Sequence, residues 1–277
     1  MTTHVTHKES GFTLVELAIV LVIIGLIVGG VLVGQDLIKA AEIRATVSDL
    51  EKFNAASTTF RDKYSGYPGD LLQTKAAQFG LANSTTTARP GADGQGDSDG
   101  LIENGATNKQ GLGNETLLFW SDLTQADMIA TSTTPTAPAP AAYTTTPLLR
   151  TANIIPVSRL RDSAFVHVYS YNGRNYYYLG GLAASNPVAA TGVLALDYGV
   201  TPQEALSIDE KLDDGDGDAG IITAVQAITN NAEDTGAAGT AAFDEAQDCF
   251  VDNTGLYNVS DDAISNINCR LSIRASF

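Results

Sequence analysis

The chain has 277 residues, 44% of them hydrophobic and 17% charged, with a formal net charge of −16. That is enough for one large domain or two small ones with a real core. The low charged fraction excludes a coiled-coil rod, the apolar content excludes a wholly disordered chain, and the acidic balance speaks against a general nucleic-acid binder.

The averages hide an asymmetry. Residues Phe12 to Val33 read FTLVELAIVLVIIGLIVGGVLV, 22 in a row with Thr13 and Glu16 as the only polar members. From Ser65 onward ten Lys and Arg stand against 25 Asp and Glu, so this part carries nearly all the negative charge. As a helix the apolar run is about 33 Å long, the span of a hydrocarbon core. It is long for a signal-peptide core, and no small-residue cleavage site follows it. Helical periodicity continues instead, with Ile43, Val47, Leu50, Asn54, Ser57, Phe60 and Tyr64 on one face and Phe53 beside them. Gly66 and Pro68 then supply a stop. The expectation is one helix of about fifty residues, apolar all round at first and amphipathic afterwards. Glu16 stands out, because a carboxylate inside a membrane span is costly unless it is paired or reaches the interface.

The segment HKESGFTLVELAIVLVIIGLI resembles the N-terminus of type IV pilins and type II secretion pseudopilins. The shared features are a short polar leader with Lys8, then Gly11, Phe12, a Thr-Leu-Val-Glu run and the long apolar helix. The resemblance implies an α+β, type IV pilin-like fold: a long N-terminal helix, membrane-spanning then amphipathic, packed against an antiparallel β-sheet head with long loops. It implies a leader at 1–11, a helix at 12–64 with an assembly segment at 12–33, and a head at 65–277. A prepilin peptidase would cut after Gly11 and methylate the new amino group of Phe12. Glu16 would then meet the N-terminal ammonium of a neighbouring subunit, specifying register more than adding stability. Many pilins carry a proline about twenty residues into the mature helix, and this chain has none. Gly25, Gly29, Gly30 and Gly34 are either points where the helix yields or small residues for close packing in the membrane.

Beyond Pro68 the chain turns rich in Gly, Ser, Thr and Asp, as irregular structure does. The KYSGYPGDL stretch is similar to one group of pilin-like proteins. Glu115 to Ile129 reads as a short helix, with the sole tryptophan, Trp120, on its buried side. TSTTPTAPAPAAYTTTP, holding four of the nine prolines, reads as an extended, solvent-exposed loop. Ser163 to Tyr171 and Arg174 to Leu182 flank Asn172-Gly173, the favoured pair for a two-residue hairpin turn. His167 reads as a strand residue half-covered by aromatics. Further strands are expected at Gly192 to Tyr198 and near Gly220 to Ala227, with a helix start at Thr201-Pro202-Gln203-Glu204 between them.

Two segments gather carboxylates: Asp93, Asp97, Asp99 and Glu103 in the first, and a second that opens at Asp209 and offers Asp213, Asp214, Asp216 and Asp218 as its candidate ligands. Alternating oxygen donors among turn glycines suit calcium, although neither loop completes an EF-hand; the other reading is a solvated acidic turn. The IDEKLDDG stretch also resembles a recurrent structural element of the same pilin-like group. No nucleophile motif, phosphate loop or His-containing metal set accompanies the acids, so an enzyme is not expected. Cys249 and Cys269 have 19 residues between them near the C-terminus. Export behind a membrane anchor places them in an oxidising compartment, where they form a disulfide or stay as free thiols. Pilins often have a disulfide-bounded loop at this point.

The function this reading favours is a structural subunit of a type IV pilus-like filament. Its partners would be other pilin subunits, prepilin peptidase, an inner-membrane assembly platform and, before assembly, the lipid bilayer; direct nucleic-acid binding is not expected. It would sit in the inner membrane by a single pass with the head in the periplasm, then in an extracellular or periplasmic filament. The alternatives are a minor pilin or pseudopilin of a type II secretion system and, in another class, a membrane-anchored periplasmic binding protein or enzyme.

Overall fold

The computed structural model describes residues 13–81, 96–104, 114–130, 155–182, 196–224, 227–229, 232–234, 249, 251, 255–260 and 266–277. The leader, Gly11, Phe12, Asp93 and the proline-rich stretch lie outside these residues. Helix α1 runs unbroken from Leu14 to Tyr64, as its periodicity requires. Two compact units divide inside it, between Glu42 and Ile43.

In the first unit the helix buries nothing. Its leucines, isoleucines and valines from Leu14 to Val33 are each at least half exposed, reaching 85% at Leu14. A Cβ added at Gly25, Gly29, Gly30 or Gly34 would meet no atom within 4 Å, so no contact within the chain requires these glycines.

In the second unit α1 presents Ile43, Thr46, Leu50, Phe53, Ala56, Ser57, Phe60 and Tyr64 to the core. The buried stripe is rotated slightly from the expected one: Val47 and Asn54 sit at its margin, half-buried, while Thr46, Phe53 and Ala56 lie in its middle. The helix ends at Tyr64, where it is expected to end. Ser65 takes the left-handed conformation (φ 55°) and donates its N–H to the Arg61 carbonyl.

Two short helices follow, α2 (Gln73–Gln78) and α3 (Asn114–Gln125). The expected helix to Ile129 ends at Gln125 because Asp127 turns left-handed (φ 55°). Met128 N–H then bonds the Leu123 carbonyl and Asp127 N–H the Thr124 carbonyl, the two bonds of a Schellman motif. Gly69 (φ 85°) is where α3 comes closest to the end of α1. A Cβ there would lie 2.4 Å from the Glu115 carbonyl oxygen, so only glycine fits.

The sheet is antiparallel. β1 (Ala164–Tyr171) and β2 (Arg174–Leu182) form the expected hairpin in the register His167↔Tyr178. Asn172 and Gly173 both have positive φ, 47° and 73°, as a two-residue hairpin turn requires. β3 (Leu196–Asp197) pairs with the end of β2. Helix α4 (Pro202–Leu212) begins in a capping box: the Thr201 hydroxyl accepts from Glu204 N–H and the Glu204 carboxylate accepts from Thr201 N–H. β4 (Ile222–Ala224), β5 (Ala227–Thr229) and β6 (Ala232–Asp234) follow, the last two pairing with each other. β7 (Leu271–Arg274) inserts between β2 and β4, giving the order β1-β2-β7-β4. The fold is therefore α+β, a long apolar helix whose second half packs on a small antiparallel sheet.

Aromatic rings join helix to sheet. Phe53 meets Trp120 edge-on at 4.9 Å, Phe119 meets Trp120 at 4.9 Å, and Phe277 lies 5.9 Å from Tyr177 and 5.4 Å from Tyr67. Trp120 and Tyr177 are wholly buried. His167 is buried as well, more completely than the half-covered position expected. Cys249 and Cys269 form a disulfide. Closing a loop of this length stabilises by about 3 kcal/mol in the chain-entropy model. Phe53→Ala removes the ring that couples α1 to α3, and thermal unfolding of the detergent-solubilised chain should show a loss of about 3–5 kcal/mol. An equal truncation at the exposed Leu26 should leave the unfolding of the head unchanged.

Candidate functional site

The N-terminus of α1 is built around Glu16. Thr13 precedes the helix, and its hydroxyl accepts from Glu16 N–H at 3.3 Å. One oxygen of the Glu16 carboxylate accepts from Thr13 N–H at 2.9 Å and from the Thr13 hydroxyl at 2.8 Å. The acid singled out by its apolar surroundings thus caps its own helix, and its negative charge lies at the positive end of the helix dipole. Among the described residues α1 is the one helix long and apolar enough to cross a membrane.

The two acidic segments form two separate clusters, the first completed by Asp70 from outside its segment and the second by Asp209 at the start of its own. In the first, oxygens of Asp97 and Asp99 lie with one of Asp70 within 4.8 Å of one another. Asp70 is buried and accepts from Ser98 N–H at 2.6 Å and Gly100 N–H at 2.9 Å. Glu103, expected in this group, is instead buried beside β1, where it accepts from the Ser170 hydroxyl at 2.5 Å. Glu115, at the start of α3, accepts from Gly96 N–H and Glu103 N–H at 2.6 and 3.0 Å. Asp122 takes the N–H of Gly69 at 2.7 Å.

In the second cluster, oxygens of Asp213 and Asp214 meet one of Asp209, again within 4.8 Å. Asp209 is buried in the last turns of α4 and accepts from the Tyr257 hydroxyl at 2.7 Å. Asp213 accepts from the backbone N–H groups of Ile221 and Ile222. Asp216 and Asp218 lie outside this triad. Asp214 accepts from Asp216 N–H, and Asp216 from Asp218 N–H, each at about 3 Å, in a run of small side-chain-to-backbone turns. Asp209 was readable from its spacing of four residues before Asp213 on one helix face. Asp70 was not, because only the folded chain brings its turn to the loop at 96–104.

Burial drives the carboxyls at these clusters toward their neutral forms: Asp209 to about 6, Asp70 to about 7 and Glu115 to about 9, against the backbone hydrogen bonds that favour ionisation. Each cluster is thus satisfied either by protons or by a cation. Three carboxylate oxygens within 4.8 Å suit a hard oxygen-seeking ion such as calcium.

Residues 6–32 match the family profile of the prokaryotic N-terminal methylation motif, the signature of type IV pilins and pseudopilins. The N-terminus is a pilin-type methylation segment. It contains Gly11, Phe12 and Glu16 and most of the exposed half of α1. Segments of this type imply processing by a prepilin peptidase and pilus-subunit partners in general, and the apolar helix is compatible with a membrane anchor. No curated protein and no solved structure matches the chain.

The raised carboxyls set a pH dependence. Unfolded, these groups ionise near pH 4, so their contribution to folding is complete below that and is lost as pH rises through about 6, 7 and 9 in turn. In chelator, the melting temperature of the detergent-solubilised chain should fall between pH 5 and 9. Calcium should restore it at pH 8 and have little effect at pH 5; equal curves with and without calcium at pH 8 would assign the clusters to protons alone.

Proposed function

We propose that the chain is a structural subunit of a type IV pilus-like filament. Prepilin peptidase cuts it after Gly11 and N-methylates Phe12, and it assembles through α1. The observation that carries this reading is the coincidence of the methylation motif with the first half of α1, whose leucines, isoleucines and valines are all exposed in the single chain. Such a surface needs lipid first and other helices later, and moving it from one to the other keeps it out of water throughout. The four glycines, which no contact within the chain requires, suit close approach of neighbouring helices.

In this reading Glu16 has two tasks. It caps its own helix through Thr13, and its charge neutralises the ammonium that cleavage creates on a neighbouring subunit. The head stays outside the helical bundle, and its acidic surface favours solubility. The role is structural rather than catalytic, with the head in the periplasm before assembly and the filament extracellular or periplasmic afterwards. A minor pilin or a type II secretion pseudopilin shares all these steps. A membrane-anchored binding protein or enzyme would need neither the cut at Gly11 nor methylation.

Mass spectrometry of the mature N-terminal peptide decides between the classes. N-methylated Phe12 as the first residue is expected, and an intact Met1 or a cut beyond Val33 would sink the filament reading. Glu16→Gln separates the two tasks of the acid, since glutamine serves equally in a capping box while removing the charge. Cleavage should persist, and incorporation into sheared filaments should drop by an order of magnitude or more if the buried ammonium loses its partner. Wild-type incorporation would reduce Glu16 to a cap.

A further inference from the structure

The head carries an apolar groove of about 580 Å³ along the second half of α1. Phe53 and Ala56 line it from the helix, Met128 and Ile129 from the turn that ends α3, and Val157 and Val166 from the start of the sheet. Lys52 and Arg159 stand at its rim, 67% and 64% exposed. Both bond the same carboxylate, Asp49, at 2.9 and 3.0 Å, so two cations share one anion. In a head with 25 acids and ten bases this is a local surplus of positive charge.

A second surface has the opposite character. Within the disulfide-bounded loop Leu256 is 63% exposed, with Val259 and Val251 about 40% exposed near it. This apolar knob is tied to the acidic turn after α4, because Gly217 N–H bonds the Gly255 carbonyl at 2.9 Å. A Cβ on Gly255 would lie 2.1 Å from an Asp216 carboxylate oxygen, so the carboxylate borders the knob directly. Asp214, Asp216 and Asp218 are all exposed there. The knob is therefore apolar with an acidic border, and the groove is apolar with a basic rim. The two surfaces share no residue.

We propose that the knob of one copy of this chain seats in the groove of a second copy, Leu256 entering beside Phe53 and the acidic turn facing Lys52 and Arg159. The inference rests on the filament reading and adds the head-to-head contact to it. Because donor and acceptor are different surfaces, the contact is heterologous, the kind that repeats along an open helical assembly rather than closing a two-fold dimer. Apolar area supplies the attraction, and charge of opposite sign selects the register.

The test uses the full chain in cells that assemble it. Ala55→Cys in the groove is combined with Leu256→Cys, and sheared filaments are treated with a short bis-maleimide. A ladder of crosslinked subunits is expected, and none from Leu72→Cys with Leu256→Cys, whose first site is exposed but away from the groove. Leu256→Asp, a surface change that leaves the core intact, should lower filament yield at least tenfold while Phe12 is still methylated. Filaments of wild-type yield from Leu256→Asp, or filaments without the ladder, would overturn the interface and leave the filament reading standing. If Ala55→Cys is already shielded from a maleimide in the detergent-solubilised monomer, the chain's own residues fill the groove and the proposal fails. Methylated Phe12 without any wild-type filament would remove both readings together.

Discussion

One helix has to satisfy two surroundings along a single axis. The backbone of α1 bonds itself from Leu14 to Tyr64, so neither lipid nor the head has to supply a backbone partner within it. What differs along its length is side chains alone. Up to Glu42 they are offered outward on every side; from Ile43 onward one stripe is given to the core and the rest to solvent. The change depends on Phe53. Its edge-on contact with Trp120 and the neighbouring ring of Tyr177 tie the helix to α3 and β2 together.

The acid clusters show how a small head manages an excess of negative charge. Asp70, Glu103, Glu115, Asp122 and Asp209 are all buried, and each accepts at least one hydrogen bond that holds a loop or a turn in place. Loop 96–104 has no strand or helix of its own among the described residues and is shaped by these carboxylates instead. A negative group that accepts backbone N–H bonds organises irregular chain well. The cost is desolvation, which is why Asp70, Glu115 and Asp209 hold their protons above the usual carboxylate range.

Much of this could be read before folding. The long helix, the Asn172-Gly173 hairpin and the Thr201–Glu204 capping box each rest on local chemistry that neighbouring residues settle among themselves. The misreadings came where distant residues decide. The buried stripe of α1 favours Phe53 over Asn54 because Trp120 is there to receive a ring, while Asn54 at the margin accepts from Ser276 N–H. The end of α3 was set by Asp127 taking the left-handed conformation, which aspartate can adopt as a single residue but which its sequence does not announce as a glycine would. β7 has four residues and no turn signal of its own, so its place between β2 and β4 was invisible. Asp70 belongs to a cluster whose other members arrive from a loop beyond α2.

The ring of Phe277 in the aromatic core has a temporal consequence. It packs against Phe119 and Tyr67, β7 just before it forms the middle of the sheet, and Ser276 reaches back to Asn54 across 222 residues. Contacts so distant along the chain are slow to form and cannot begin until residues 271–277 have been made. The apolar half of α1 emerges from synthesis long before the residues that close the head. Helix and head are therefore completed in succession, the first half of α1 well before the sheet can close.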